Sequence, residues 1–199
     1  DDQADRLKIM MILRDPVARE LSVYNHKVYM HENRIGEKMF GNDIAEEGGN
    51  LLSFEEYADR TLEFINPNGS CREEKLKARP YFYQNCFGLY ASHLKRWMTA
   101  FNSSNILVLS YEELVRDEEQ FKWRVHSFLG FDKELVLEKM ERVNLKKSEH
   151  KLDFPSCSVQ SKLASAFRPT NEELYNLLQT KRLPIMEQRP FPEFVISNC

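Results

Sequence analysis

The chain predicts an α/β fold: a parallel sheet flanked by helices and incomplete at its N-terminal side. Three observations carry this. KIMMIL (8–13) and ILVLS (106–110) are short apolar runs bounded by polar residues, and each leads into a segment with helical spacing. Runs without polar alternation are what strands covered on both faces look like, which is the habit of parallel sheets. The third observation is a deficit, since two parallel strands cannot satisfy their outer backbone groups or bury both faces. Further strands are therefore expected from outside this sequence.

The elements follow in order. After KIMMIL, Asp15 and Pro16 supply an N-cap and a first helical position. Val17, Leu21, Tyr24 and Val28 then recur at helical spacing and predict a helix from 16 to about 31. LSFEEYADRTLEFI (52–65) predicts another, with Ser53 as cap and Glu56 completing a capping box. Asn66-Pro67-Asn68-Gly69-Ser70 is a loop. The irregular stretch 32–85 reads as an insertion over the core of a single domain spanning 1–199. Tyr90, Leu94, Trp97 and Phe101 form an apolar stripe on a helix, with Trp97 expected in the core. ILVLS follows, then an amphipathic helix over 117–130 closed by Gly130, and a further helix near 133–143. Thr170 and Glu173 predict a capping box that opens a last helix to about 180. The proline-containing tail after Leu183 is expected to be extended.

Composition narrows the function classes. With 42% hydrophobic and 12% aromatic residues the chain can bury a core. A net charge of −3 argues against a broadly basic nucleic-acid binder, although a cationic pocket fits within a mildly acidic surface. No apolar stretch approaches the roughly 20 residues of a membrane span. Cys71, Cys86, Cys157 and Cys199 lack zinc-ligand spacing, and their scatter leaves disulfide pairing open. Asn68 and Asn102 head Asn-x-Ser sequons. His26 and His31 have no third ligand in pattern, so no metal site is expected.

The chemistry gathers at Arg14. A turn between a parallel strand and the helix it feeds lies at the carboxyl edge of the sheet, where open α/β sheets bind ligands and helix N–H groups favour anions. Arg14 brings a permanent cation with a planar donor fork suited to phosphate. Ser22 lies two helical turns beyond Asp15 and so on one face with it, and Arg19 lies one turn before Ser22. The alternative is an Arg14–Asp surface pair with Ser22 as an ordinary helical residue.

RDPVARELSVY (14–24) resembles the 3′-phosphate motif of sulfotransferases that use 3′-phosphoadenosine-5′-phosphosulfate (PAPS). In that family a strand ends in Arg-(Asp/Asn)-Pro and a serine follows eight residues after the arginine, as Ser22 follows Arg14. A second stretch, 87–131, is similar to the Gly-x-Tyr-x-x-His-x-x-x-Trp helix, strand and helix of the heparan sulfate N- and 3-O-sulfotransferase branch. The resemblance is good over 8–30 and 86–131 and weak over 132–180. It implies a P-loop-like sulfotransferase fold and PAPS, or its product 3′,5′-adenosine bisphosphate, as the cofactor. Arg14 and Ser22 would hold the 3′-phosphate, with Arg19 assisting. Lys162 and Arg168 stand where the family has a late basic loop over the nucleotide, but its Gly-Arg is absent here. Tyr90 and His93 would line the acceptor side, although both also read as packing residues.

The family's glycine/threonine-rich 5′-phosphosulfate loop, its lysine and its catalytic base have no counterpart, and are expected upstream of Asp1. Gly36–Gly41 has phosphate-loop spacing, but Asn42-Asp43 follows it and no buried strand precedes it. The chain thus looks like the C-terminal two-thirds of a sulfotransferase domain. Two readings stay open. One is an enzyme transferring a sulfuryl group to a hydroxyl or amine, of a glycan or a small molecule, with a Golgi-lumen location suggested by the family. The other is a non-catalytic subunit whose sheet a protein partner completes. Glu112 and Glu113, after the second strand, fit either a site or a cap.

Overall fold

The computed structural model describes residues 6–33, 44–45, 50–78, 86–131, 155–181, 183–186 and 188–195. The stretch near 133–143, the Gly36–Gly41 segment and much of 32–85 lie outside them. Elements run β1 (Ile9–Leu13), α1 (Pro16–Glu32), α2 (Phe54–Leu62), α3 (Glu73–Ala78), α4 (Tyr90–Ala100), β2 (Ile106–Ser110), α5 (Tyr111–Arg116), α6 (Glu118–Leu129) and α7 (Cys157–Thr180). The chain forms two compact units. The first draws on 1–15, 90–146 and 171–194, the second on 16–89, 147–170 and 195–199.

The first unit holds the sheet. β1 and β2 pair in parallel, with Ile9 opposite Ile106 and Leu13 opposite Ser110. Every residue of β2 is buried. One face of the pair, carrying Ile9, Met11, Ile106 and Val108, packs with Leu94 of α4 and Leu174, Leu177 and Leu178 of α7. On the other face, Leu107 and Leu109 are covered by Phe121 and Phe128 of α6. Their row partners on β1 are not: Met10 is 47% and Ile12 55% exposed. Against the expectation of a buried strand, β1 is half-buried on one face and exposed on the other.

The second unit packs α1 against α2. Tyr24, Val28, Ile44 and Tyr57 form one cluster. Val17, Ala58, Phe64, Val159, Leu163 and Phe167 form another. The Ser53–Glu56 capping box is present in both directions: the Ser53 hydroxyl accepts from the Glu56 N–H, and the Glu56 carboxylate accepts from the Ser53 N–H. A disulfide joins Cys71 to Cys86, and Cys157 is disulfide-bonded as well.

Two expectations are corrected, and one element is added. Thr170 opens no helix, because α7 runs unbroken from Cys157 to Thr180 with Pro169 inside and Thr170 buried. Continuous burial of Val159, Leu163, Phe167, Leu174 and Leu178 outweighs the donor that a proline removes. Trp97 is 45% exposed and stacks on Phe101, with ring centroids 5.5 Å apart, instead of filling the core. A short helix, α5, follows β2 directly, because Ser110 caps it by accepting from the Glu113 N–H at 3.2 Å.

Candidate functional site

In the first unit the mouth of β1 is built around Arg14. Its backbone is tied down from two sides. The Tyr90 hydroxyl donates to the Arg14 carbonyl at 2.9 Å, and the next N–H, of Asp15, donates to the Glu112 carboxylate at 2.9 Å. The other Glu112 oxygen accepts from the Ser110 hydroxyl at 3.1 Å, so both its oxygens are engaged by donors. The side chain is treated differently. The Arg14 guanidinium lies 4.9 Å from the Tyr111 ring centroid, in cation–π range. Its Nε is buried and has no hydrogen-bond partner, and among the described residues Arg14 makes no ion pair. A fixed backbone thus presents a guanidinium with an unused donor.

A buried arginine in the same unit shows what a satisfied one looks like. Arg124 donates to both oxygens of Glu113, at 2.7 and 3.0 Å, and to the carbonyls of Arg189 and Pro190. Glu113 is therefore a structural partner, while Glu112 positions the Arg14 turn. The Tyr175 hydroxyl accepts from the Phe194 N–H at 2.7 Å. Burial pushes its pKa up to about 12, with the nearby charges of Glu193, Asp15 and Glu112 adding to the rise.

In the second unit, Arg19 and Ser22 lie three residues apart on α1 and so on neighbouring positions of one face. Ser22 is exposed. Arg19 pairs with the fully buried Glu20 and lies 5.7 Å from the Phe87 ring centroid. Glu20 also accepts from the Tyr57 hydroxyl at 3.1 Å, and buried Lys27 lies 5.4 Å from the centroid of the same ring. Burial pushes the Glu20 carboxyl up, and Arg19, the Tyr57 hydrogen bond and Lys27 push it back. Tyr57 is driven well above its ordinary range, first by burial and then by Glu20.

The remaining expected residues fall in two places. Tyr90 and His93 both belong to α4 in the first unit, Tyr90 buried and His93 half-buried. Lys162 and Arg168 are exposed on α7, and Lys162 reaches Asp59 at 3.3 Å. Sequence reading missed Tyr111 beneath Arg14 and the holding roles of Tyr90 and Glu112. Their signal was the Ser-Tyr-Glu that ends β2, beside Arg-Asp at the end of β1.

A model of the sulfotransferase domain matches residues 3–175. The chain belongs to the sulfotransferase domain family. Its structure is similar to that of a sulfotransferase from Alicyclobacillus acidocaldarius, with a TM-score of 0.55 and 24% identity over 86% of this chain. At that identity the likeness speaks to the fold. The chain spans 54% of the length of that protein. No curated protein sequence matches it.

Proposed function

We propose that this chain is the 3′-phosphate-binding part of a sulfotransferase that moves a sulfuryl group from PAPS to a hydroxyl or amine, on a glycan. The observation that carries the reading is Arg14: a cation at the carboxyl end of a parallel strand, fixed by Tyr90 and Glu112, whose buried Nε has no partner. A buried unpaired donor is costly unless a ligand completes it. A 3′-phosphate does so. Arg14 thereby sets register and rejects nucleotides without a 3′-phosphate, and it does not carry out the chemistry.

Sulfuryl transfer is an in-line displacement, so by analogy with phosphoryl transfer the protein supplies alignment, a base for the acceptor and cations for the leaving group. Among the described residues β1 pairs only with β2, and its other edge suits a further strand bearing the 5′-phosphosulfate loop. The disulfides suit an oxidising compartment such as the Golgi lumen.

The test is nucleotide selectivity. Titrated with 3′,5′-adenosine bisphosphate and with adenosine 5′-monophosphate, the chain prefers the bisphosphate by at least about tenfold, roughly 1.4 kcal/mol. Arg14→Ala narrows the gap. Equal affinities for the two nucleotides would remove the 3′-phosphate from the site.

A further inference from the structure

A polar cavity lies within the second unit and shares only Lys162 with the residues expected at the nucleotide. It has a volume of about 710 Å³, within the range of small-ligand pockets. Its polar lining is Asn66, Arg72, Ser158, Ser161, Lys162 and Ser165; the charged members are both cationic. Arg72 is half-buried, and its Nε is buried with no hydrogen-bond partner. The Arg72 N–H donates to the Phe64 carbonyl at 2.8 Å, which anchors the backbone that carries this guanidinium.

The three serines occupy one face of α7, at intervals of three and four residues. They set one hydroxyl per helical turn, about 5.4 Å apart along the axis. All three are exposed. Pro169 adds an acceptor, because it lacks the N–H that would ordinarily reach the Ser165 carbonyl. Among the described residues the apolar lining is aliphatic, Leu62, Ile65, Pro67 and Ala166, with no aromatic ring on which a nucleobase could stack. The pocket therefore offers one open guanidinium, an ammonium shared with Asp59, and a ladder of hydroxyls that both donate and accept.

We infer that this pocket binds an anionic saccharide unit, with Arg72 on its sulfate or carboxylate and Ser158, Ser161 and Ser165 on its hydroxyls. A bare inorganic anion uses Arg72 alone. A nucleotide leaves its base without a platform. A neutral sugar leaves Arg72 unpaired. A sulfated or carboxylated sugar satisfies the whole lining. The site rests on the glycan reading above for its biological role, as a secondary acceptor contact, but not for its chemistry.

Calorimetric titration of the chain with a sulfated disaccharide, a uronate disaccharide, a neutral disaccharide and inorganic sulfate tests it. The sulfated or the uronate disaccharide binds at least about fivefold tighter than inorganic sulfate and tenfold tighter than the neutral one; the stronger of the two identifies the anion. Arg72→Gln weakens that binding about tenfold, as expected for a charge-assisted contact. Ser161→Ala/Ser165→Ala, on an exposed helix face where alanine favours the helix, weakens it about fivefold and leaves inorganic sulfate unchanged. Wild-type affinity in both variants, no saccharide binding at millimolar concentration, or inorganic sulfate binding as tightly as the disaccharides would overturn the proposal. Bisphosphate affinity, measured on the same samples, separates the two claims. Its loss in the wild type removes the nucleotide reading alone, and its persistence beside failed saccharide binding removes the pocket alone.

Discussion

The mouth of β1 and the Glu20 cluster both hold charge against the fold, Arg14 half-buried and Glu20 fully buried, and they satisfy it in opposite ways. Glu20 is fully buried and has every partner it needs: Arg19 in an ion pair, the Tyr57 hydroxyl, and Lys27 beside the same ring. At Arg14 the backbone has hydrogen-bond partners, while among the described residues the guanidinium has only the Tyr111 ring. A satisfied network serves the fold, because removing any member strands the rest. An arginine held in place but left open serves a ligand. The pattern of satisfaction is what separates the two roles.

The sharpest way to break this comparison is to strand the satisfied cluster. Glu20→Ala leaves Arg19 and Lys27 without their buried anion and should cost about 3–5 kcal/mol, read as a loss in the urea midpoint at unchanged slope. The Cys71–Cys86 disulfide, closing a separation of 15 residues, comes next. Cys71→Ser/Cys86→Ser should cost about 3 kcal/mol by the same measurement. Ser53→Ala, removing one half of the α2 capping box, should cost about 1 kcal/mol.

A pH series sharpens the contrast further. Because burial raises the native pKa of Glu20, the folded state holds that proton more tightly than the unfolded chain does. Its contribution to stability is fully present below the unfolded carboxyl value, about pH 4.3, and declines as pH rises toward the native one. Glu20→Gln, which cannot titrate, should lack that decline in urea midpoints taken across the acid range.

Much of this was legible in the sequence where the physics is local. The Ser53–Glu56 box, the Gly130 stop at φ 75° and both strands depend on near neighbours, and all appear as expected. The Thr170–Glu173 box has the same local pattern and fails, because Phe167 and Leu174 are buried along one continuous helix that carries it through Pro169. Trp97 fails for the converse reason: helical spacing gives a stripe its direction but not its length, and this stripe runs past the buried part of α4. Arg14 was legible as a candidate because strand, turn and helix are contiguous. Its holders were not, since Tyr90 and Glu112 lie 76 and 97 residues away from the groups they bind. The Arg72 pocket was invisible for the same reason, with its lining drawn from 62–72 and 158–166.

The decisive measurement is paired: the urea midpoint and the 3′,5′-adenosine bisphosphate affinity of Arg14→Ala beside those of the wild type. Losing a charge-assisted phosphate contact should weaken binding by roughly 1.5–3 kcal/mol, while stability changes by less than about 1 kcal/mol because the side chain has no hydrogen-bond partner to strand. Undiminished affinity, or a stability loss as large as that of Glu20→Ala, would contradict the account and return Arg14 to the fold.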